Sequence, residues 1–441
     1  MEVQVETPGG LVRQLRVRVP ADRVAKAVDA QLKRVAARAK IPGFRPGKAP
    51  FKVIEQQYGD SARMEAVSAI VQQTYPEALG QSGVNPAGMP KIDITVEKPG
   101  EALEYVAQFE VYPEIKLQDI KGFKLEKPVV EVSEADIDKL VLNLRSARRS
   151  FEVVARAAKL EDQVTVDFLG KINGETFAGS EGKDVTIELG KGQFLPDLEN
   201  GIVGHAAGES FTVPVKFPDD YRNEFLRGKT ADFEMTLKEV KEAHLPAIDA
   251  EFLKAHSVEE GAGEAGLRAK GRIALEKERN KALQARTKTQ ALDQLLNSNP
   301  IEIPMALIEQ EVPRLRDEAI ARMNFGKIPD EKKRELFPDA LFEANAKKRV
   351  MLGLLISEVI KTRDIKLDQT LVDKALDEMA ADYEQPEQVK QFYRSRQDLL
   401  QGLRAMVLED QVVTALIEGA TVTEVPMSLD DLLKPAQQPN V

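Results

Sequence analysis

The hydrophobic pattern of this chain changes period along its length, and no single core can serve all of its regimes. Residues 1–112 mix the two periods. Leu15-Arg16-Val17-Arg18-Val19 alternates apolar and basic residues, as a strand with one wet, positive face does. Pro20 and Asp22 then open a helix with Val24, Val28, Leu32 and Val35 at helical spacing, ending near Lys40. Residues 51–58 and 61–80 read as two further helices, and 92–96 and 103–111 as strands. The second strand puts Leu103, Tyr105, Ala107, Phe109 and Val111 on one face. Between 150 and 243 the alternation dominates. Residues 164–168, 185–189, 210–215 and 231–240 read as strands, with turns at Asn173-Gly174, Gly190, Gly192 and Gly208 and one short helix near 196–202. From about residue 250 the pattern is helical, over 264–298, 305–325, 339–362, 368–383 and 396–418.

The expected fold class is therefore multidomain α+β. It comprises an α+β N-terminal domain (1–112), a small antiparallel β domain (150–243) and an all-α C-terminal domain (244–426). Residues 113–149 read as a linker and 427–441 as a flexible tail. A length of 441 residues suits roughly three domains.

Composition narrows the chemistry. The chain has no cysteine, which excludes disulfides, thiolate nucleophiles and Cys-based metal sites. Its three histidines, His205, His244 and His256, are too scattered to suggest a metal site, so none is expected. No apolar run approaches the ~20 residues of a membrane span, and the acidic start, Met1-Glu2-Val3-Gln4-Val5-Glu6, lacks a secretory apolar stretch. These features predict a cytoplasmic protein with no membrane partner. No G-x-x-x-x-G-K-[ST] string is present, so no nucleotide is expected.

Charge is uneven. Residues 1–52 hold twelve Lys and Arg against four acids, on a chain of net charge −10. A basic end on an acidic protein suits contact with a polyanion, although a merely solvated face would look the same. Within it, Ile41-Pro42-Gly43-Phe44-Arg45-Pro46-Gly47-Lys48-Ala49-Pro50 places three prolines and two glycines in ten residues, which forbids regular structure. The loop displays one aromatic and two cations on a backbone stiffened by proline, which lowers the entropy cost of binding. An ordinary connector between helices would also fit.

The string Gly43-Phe44-Arg45-x-Gly47-Lys48-x-Pro50 resembles the ribosome-docking signature of the trigger factor family, the bacterial ribosome-associated chaperones. The resemblance extends over the whole chain in domain order. It implies that Phe44, Arg45 and Pro46, supported by Gly43, Gly47 and Lys48, dock on the large ribosomal subunit at the tunnel exit, touching a ribosomal protein and rRNA. Position 46 is often basic in that family; proline here removes one possible charge.

The β domain resembles FKBP-type prolyl isomerases. The matching strings are Val164-Thr165-Val166-Asp167-Phe168-Leu169-Gly170, Gln193-Phe194-Leu195-Pro196-Asp197-Leu198, and Phe217-Pro218-Asp219-Asp220-Tyr221, with Phe177 and Phe233. The resemblance implies an apolar pocket lined by Phe168, Phe177, Phe194, Leu195, Leu198, Tyr221 and Phe233. The same aromatics could instead serve only as the domain's core. Many family members carry Asp directly after the aromatic at position 177, whereas this chain has Ala178. Such a pocket suits the chemistry. Rotation about X–Pro meets a barrier of about 18–20 kcal/mol from amide resonance. The twisted amide has lost much of its dipole, so a desolvated apolar site favours it over the planar form. Tyr221 is the candidate donor to the prolyl carbonyl, and no cofactor is needed. His205 is expected to hydrogen-bond in a turn rather than to react.

Among the helices, Met305, Leu307, Ile308, Met323, Phe325, Leu341, Phe342, Met351, Leu352, Leu354, Leu355 and Ile356 divide between packing and adaptable apolar surface. The resemblance implies a cradle for nascent and unfolded polypeptides, and an exposed cradle could support a homodimer off the ribosome. Two other readings remain. One is a plain folding isomerase whose further domains only bring substrate. The other is a nucleic-acid binder, but only Phe44 and Phe51 stand among the basic residues as stacking platforms.

Overall fold

The computed structural model describes residues 1–39, 44, 50–98, 100–323, 329–381 and 383–434, with only the backbone of 260, 330 and 331. Packing separates two units. One joins Met1–Lys127 to Ala285–Val425, and the other joins Pro128–Gln284 to the segment from Pro426.

The chain begins with strands β1 (Glu2–Gly9) and β2 (Val12–Val19), helices α1 (Ala21–Arg38) and α2 (Phe51–Ser82), and strands β3 (Lys91–Val96) and β4 (Leu103–Glu110). The strands form an antiparallel sheet in the order β1-β2-β4-β3. Register sets Leu15 opposite Ala107 and Val17 opposite Tyr105, so the apolar residues of β2 and β4 share one face. Leu15, Val17, Val19, Tyr105 and Ala107 are fully buried against Val67, Ile70 and Val71 of α2. The buried Tyr105 hydroxyl is satisfied by Thr74 at 2.9 Å.

The sequence predicts a break in α2 at Gly59-Asp60, yet α2 is one helix of 32 residues. Ile54 and Ala62 flank Gly59, and both are buried against Leu32 of α1. That packing outweighs the ~1 kcal/mol helix penalty of a glycine. Arg23 of α1 donates twice to the Glu77 carboxylate of α2, at 3.0 and 2.9 Å, so the two helices form a tied pair.

Residues 113–149, expected as a linker, are structured. β5 (Lys124–Val129) follows a short 3-10 turn, and Ile120, Phe123 and Leu125 are buried with Leu295, Leu355, Val359 and Leu416. Helix α3 (Glu134–Ser146) opens with a capping box. The Ser133 amide donates to Asp136 at 2.8 Å and the Asp136 amide donates to the Ser133 hydroxyl at 3.3 Å. Ile137 and Val141 of α3 pack with Phe252, Leu253 and Leu267.

The β-rich region holds β6 (Ser150–Val153), β7 (Gln163–Ile172), β8 (Glu175–Glu188), α4 (Pro196–Ile202), β9 (Ser210–Lys216) and β10 (Thr230–His244). The antiparallel order is β6-β10-β7-β8, with β9 also paired to β10. One core fills it, including Val164, Val166, Ile187, Leu189, Ile202, Val215 and Leu237, all fully buried. The expected short helix at 196–202 is α4.

Helices then dominate: α5 (Ala250–Ala255), α6 (Gly263–Ser298), α7 (Met305–Arg322), α8 (Asp330–Leu336), α9 (Ala340–Arg363), α10 (Gln369–Ala380), α11 (Pro386–Ser395) and α12 (Gln397–Gly419). They pack in several clusters rather than one core, the largest joining α6, α9 and α12. Ile308 and Val312 of α7 meet Ala346 of α9, while Val372 and Leu376 of α10 meet Leu403 and Val407 of α12. The chain closes with β11 (Thr421–Pro426) and α13 (Leu429–Leu433). Thus the stretch expected as a loose tail begins with a helix capped by Ser428 whose Leu429 and Leu432 are buried. Its remainder, 435–441, lies outside the described residues. Among the described residues no helix is long and apolar enough to cross a membrane, and no group of three or more His, Asp or Glu could hold a metal ion.

Candidate functional site

The β-rich region builds a cavity of about 530 Å³. Glycines make room for its rings. Gly170 lies opposite Phe233 in the β7–β10 ladder, and a Cβ there would stand 2.7 Å from the Phe233 ring. Gly182 lies opposite Phe168 in the β7–β8 ladder, and its Cβ would stand 2.6 Å from that ring. Both rings can therefore lie close over the sheet.

The cavity is lined by Phe168, Phe177, Phe194, Leu195, Leu198, Tyr221 and Phe233, so all seven residues of the expected pocket converge. Leu198 and Phe233 are buried, and the other five are half-buried. The rings meet edge to face. Phe168 contacts Phe194 at 6.2 Å and Phe233 at 5.9 Å, and Phe177 contacts Phe233 at 6.3 Å. Sequence reasoning missed Phe217, Val215, Leu226 and Asn223, which also line the cavity. Phe217 packs on Phe177 at 6.1 Å and on Tyr221 at 4.9 Å. The period-2 series Val213, Val215, Phe217 in and after β9 was the signal that pointed its ring inward. No Asp, Glu, Lys, Arg or His is among the described lining residues. The Tyr221 hydroxyl makes no hydrogen bond among the described residues, while Arg227 holds the Tyr221 carbonyl at 2.8 Å. Ala178 stands in the lining beside Phe177.

His205 lies outside the cavity lining. Its ring stacks on Phe211 at 3.7 Å and its Nδ1 meets Glu209 at 2.8 Å, which holds the Glu209 carboxyl below its usual range. A half-buried ion pair braces the same region. Arg156 donates to Asp162 at 2.6 and 3.0 Å, and the Lys159 amide adds a bond at 2.9 Å. Burial pushes the Asp162 carboxyl up, but these bonds prevail and hold it below the usual carboxylate range.

At the joint between α1 and α2, Phe44 is 42% exposed. Gly43, Arg45, Pro46, Gly47 and Lys48 lie outside the described residues. Of the apolar helical residues, Ile308 and Leu355 are buried, whereas Met305, Met323 and Leu341 stand 57%, 58% and 63% exposed. Leu307, Phe342, Met351, Leu352, Leu354 and Ile356 are half-buried, and Phe325 is outside the described residues. A hollow of about 1280 Å³ in the first unit is lined in part by Leu11, Ile303, Met305, Ile308 and Val312.

Three family models match the chain. Residues 1–144 match "Bacterial trigger factor protein (TF)", 154–238 match "FKBP-type peptidyl-prolyl cis-trans isomerase", and 265–418 match "Bacterial trigger factor protein (TF) C-terminus". Among curated proteins, trigger factor of Thioalkalivibrio sulfidiphilus is 43% identical, over 99% of each chain. Trigger factor of Pseudomonas paraeruginosa is 42% identical, over 100% of this chain and 99% of its own. A solved structure described as "Promiscuous Substrate Recognition in Folding and Assembly Activities of the Trigger Factor Chaperone" aligns over 95% of this chain and 99% of that one, at 19% identity and a TM-score of 0.49. On the family matches and these relatives the chain belongs to the trigger factor family, the ribosome-associated chaperones that bind nascent chains and carry an FKBP-type prolyl isomerase domain.

Proposed function

We propose that the aromatic cavity is the isomerase site, with Phe168, Phe177, Phe194, Leu195, Leu198, Tyr221 and Phe233 as the residues that touch substrate and Phe217 as a further wall. The observation that carries this is the uncharged cavity enclosed by edge-to-face rings. Proline sits among the rings, water is excluded, and the twisted amide is favoured over the planar one. The free Tyr221 hydroxyl donates to the prolyl carbonyl and orients it. Uncatalysed exchange takes on the order of 10–100 s, long enough to limit the folding of a nascent chain. Ala178 leaves the mouth beside Phe177 without a carboxylate.

Docking is assigned to Gly43, Phe44, Arg45, Pro46, Gly47 and Lys48, at the tunnel exit of the large ribosomal subunit, on a ribosomal protein with rRNA beside it. The exposed Phe44 at the joint of a tied helix pair supports this reading, as does the basic charge around it. In functional terms residues 1–112 dock, 150–243 isomerise and 244–426 hold unfolded segments, in the cytoplasm. The exposed methionines of α7 and its C-terminal end supply adaptable apolar contacts, and the same surface gives a homodimer off the ribosome.

Cosedimentation with purified bacterial ribosomes at two salt concentrations tests the docking assignment. The wild type pellets with ribosomes, and the Phe44/Arg45/Pro46→Ala variant does not, with its thermal unfolding unchanged. Equal pelleting of both that collapses with salt would mean generic attraction to RNA and would remove the loop from the site.

A further inference from the structure

Glu199 is a glutamate in the first turns of α4, only 3% exposed and absent from the cavity lining. Buried carboxylates are rare unless their oxygens are satisfied. Here three backbone amides satisfy them. Oε2 accepts from Gly190 at 2.8 Å and from Gly192 at 3.3 Å, and Oε1 accepts from Phe194 at 2.9 Å. Gly190 and Gly192 have φ of +85° and +68°, a left-handed backbone that other residues rarely adopt. The loop is thus wound so that its N–H groups converge. Convergent amides of this kind ordinarily form an anion-binding concavity, and here the chain's own carboxylate fills it. What the loop carries is the Phe194 ring, which packs edge-on against Phe168 at 6.2 Å and closes one side of the cavity.

We propose that Glu199 is a positioning residue for prolyl isomerisation, acting through the 190–194 loop to hold Phe194 in the cavity wall. The proposal rests on the cavity being the isomerase site. Glu199 touches no substrate. Its carboxylate fixes three amides at once, so the Phe194 ring is set before substrate arrives and no ordering cost falls on binding. Losing charge-assisted bonds to the loop frees the ring and opens that wall to water.

A double-mutant cycle on the full-length chain separates positioning from general stabilisation, read as kcat/KM for isomerisation of a short proline peptide. Glu199→Ala is expected to lower kcat/KM about tenfold, the scale of one lost hydrogen bond to a charged group. In the Phe194→Ala background the same change is expected to have no further effect, because the ring that Glu199 positions is gone. Glu199→Gln keeps one acceptor oxygen and is expected to fall between wild type and Glu199→Ala; it also carries the cycle if the alanine variant does not fold. Equal losses in both backgrounds would show that Glu199 acts through stability alone and would overturn the proposal. Wild-type rates for both Glu199 variants, with Phe194→Ala slowed, would overturn it too. A wild-type rate for Phe194→Ala would instead overturn the assignment of the cavity, and this inference with it.

Discussion

The β-rich region and the C-terminal helices use apolar residues in opposite ways. The β region gathers sixteen buried residues into one cluster and walls a cavity with aromatic rings. The helices divide theirs among several clusters, one shared by α6, α9 and α12 and smaller ones such as Ile308, Val312 and Ala346, or Val372, Leu376, Leu403 and Val407. Between those clusters Met305, Met323 and Leu341 are left on the surface. A reaction with one transition state rewards a wall held in one place. Holding many different unfolded chains rewards dispersed, repackable contacts, none of which dominates. The comparison teaches that single substitutions should be costly in one region and mild in the other.

The sharpest test is Phe194→Ala, expected to slow peptide isomerisation roughly tenfold, about 1.4 kcal/mol of lost transition-state stabilisation. Its suppression of aggregation of an unfolded model protein is expected to be unchanged. Loss of both activities together would erase the contrast. Next, Leu355→Ala removes a fully buried side chain from the cluster that joins α6, α9 and α12. A cost of about 2–5 kcal/mol is expected, read from chemical denaturation, with isomerisation intact while the chain stays folded. Asp162 gives a smaller effect confined to acid. Its carboxyl is depressed in the folded state, so the stability it contributes is present above the unfolded pKa of about 3.9. That stability is lost as pH falls through the lower folded value. Thermal unfolding of Asp162→Asn is expected to be weakened at pH 7 and to converge on the wild type below about pH 3.9; a constant gap down to pH 2 would be the contrary result. Least of all, Met305→Ala is expected to leave stability within ~0.5 kcal/mol and to reduce aggregation suppression less than about twofold. A single exposed methionine that abolished holding would break the picture of dispersed contacts.

Much of the architecture was legible because periodicity and burial agree. The alternation of Leu15, Val17 and Val19 became a buried strand face, and the apolar spacing from Val24 became α1. The seven pocket residues were readable through family resemblance, since nothing local distinguishes a cavity ring from a core ring. What escaped did so for physical reasons. β1 has six of its last six residues exposed, and β6 is a four-residue edge, so neither shows an apolar stripe. α11 buries no residue fully, and its sequence between α10 and α12 looks like a connector. Gly59-Asp60 carried a local stop signal that contacts with α1 overrode. Glu199 looked like any acid in a first helical turn, because the amides that surround it come from a loop whose conformation depends on two left-handed glycines.

The first compact unit is interrupted in sequence, and this bears on how the protein itself is made. Residues 1–111 contain every member of the core beneath the first sheet, so that core can close as soon as this stretch has been synthesised. Ile120, Phe123 and Leu125, near Ile115 and Leu117, belong instead to a cluster whose other buried members, Leu295, Leu355, Val412 and Leu416 among them, come much later in the chain. At ~5–20 residues per second those partners arrive on the order of tens of seconds later. Until then these three large apolar side chains lack the buried partners that cover them in the finished protein. A chain of this design therefore completes its first sheet early and its second core late, when the C-terminal helices have been made.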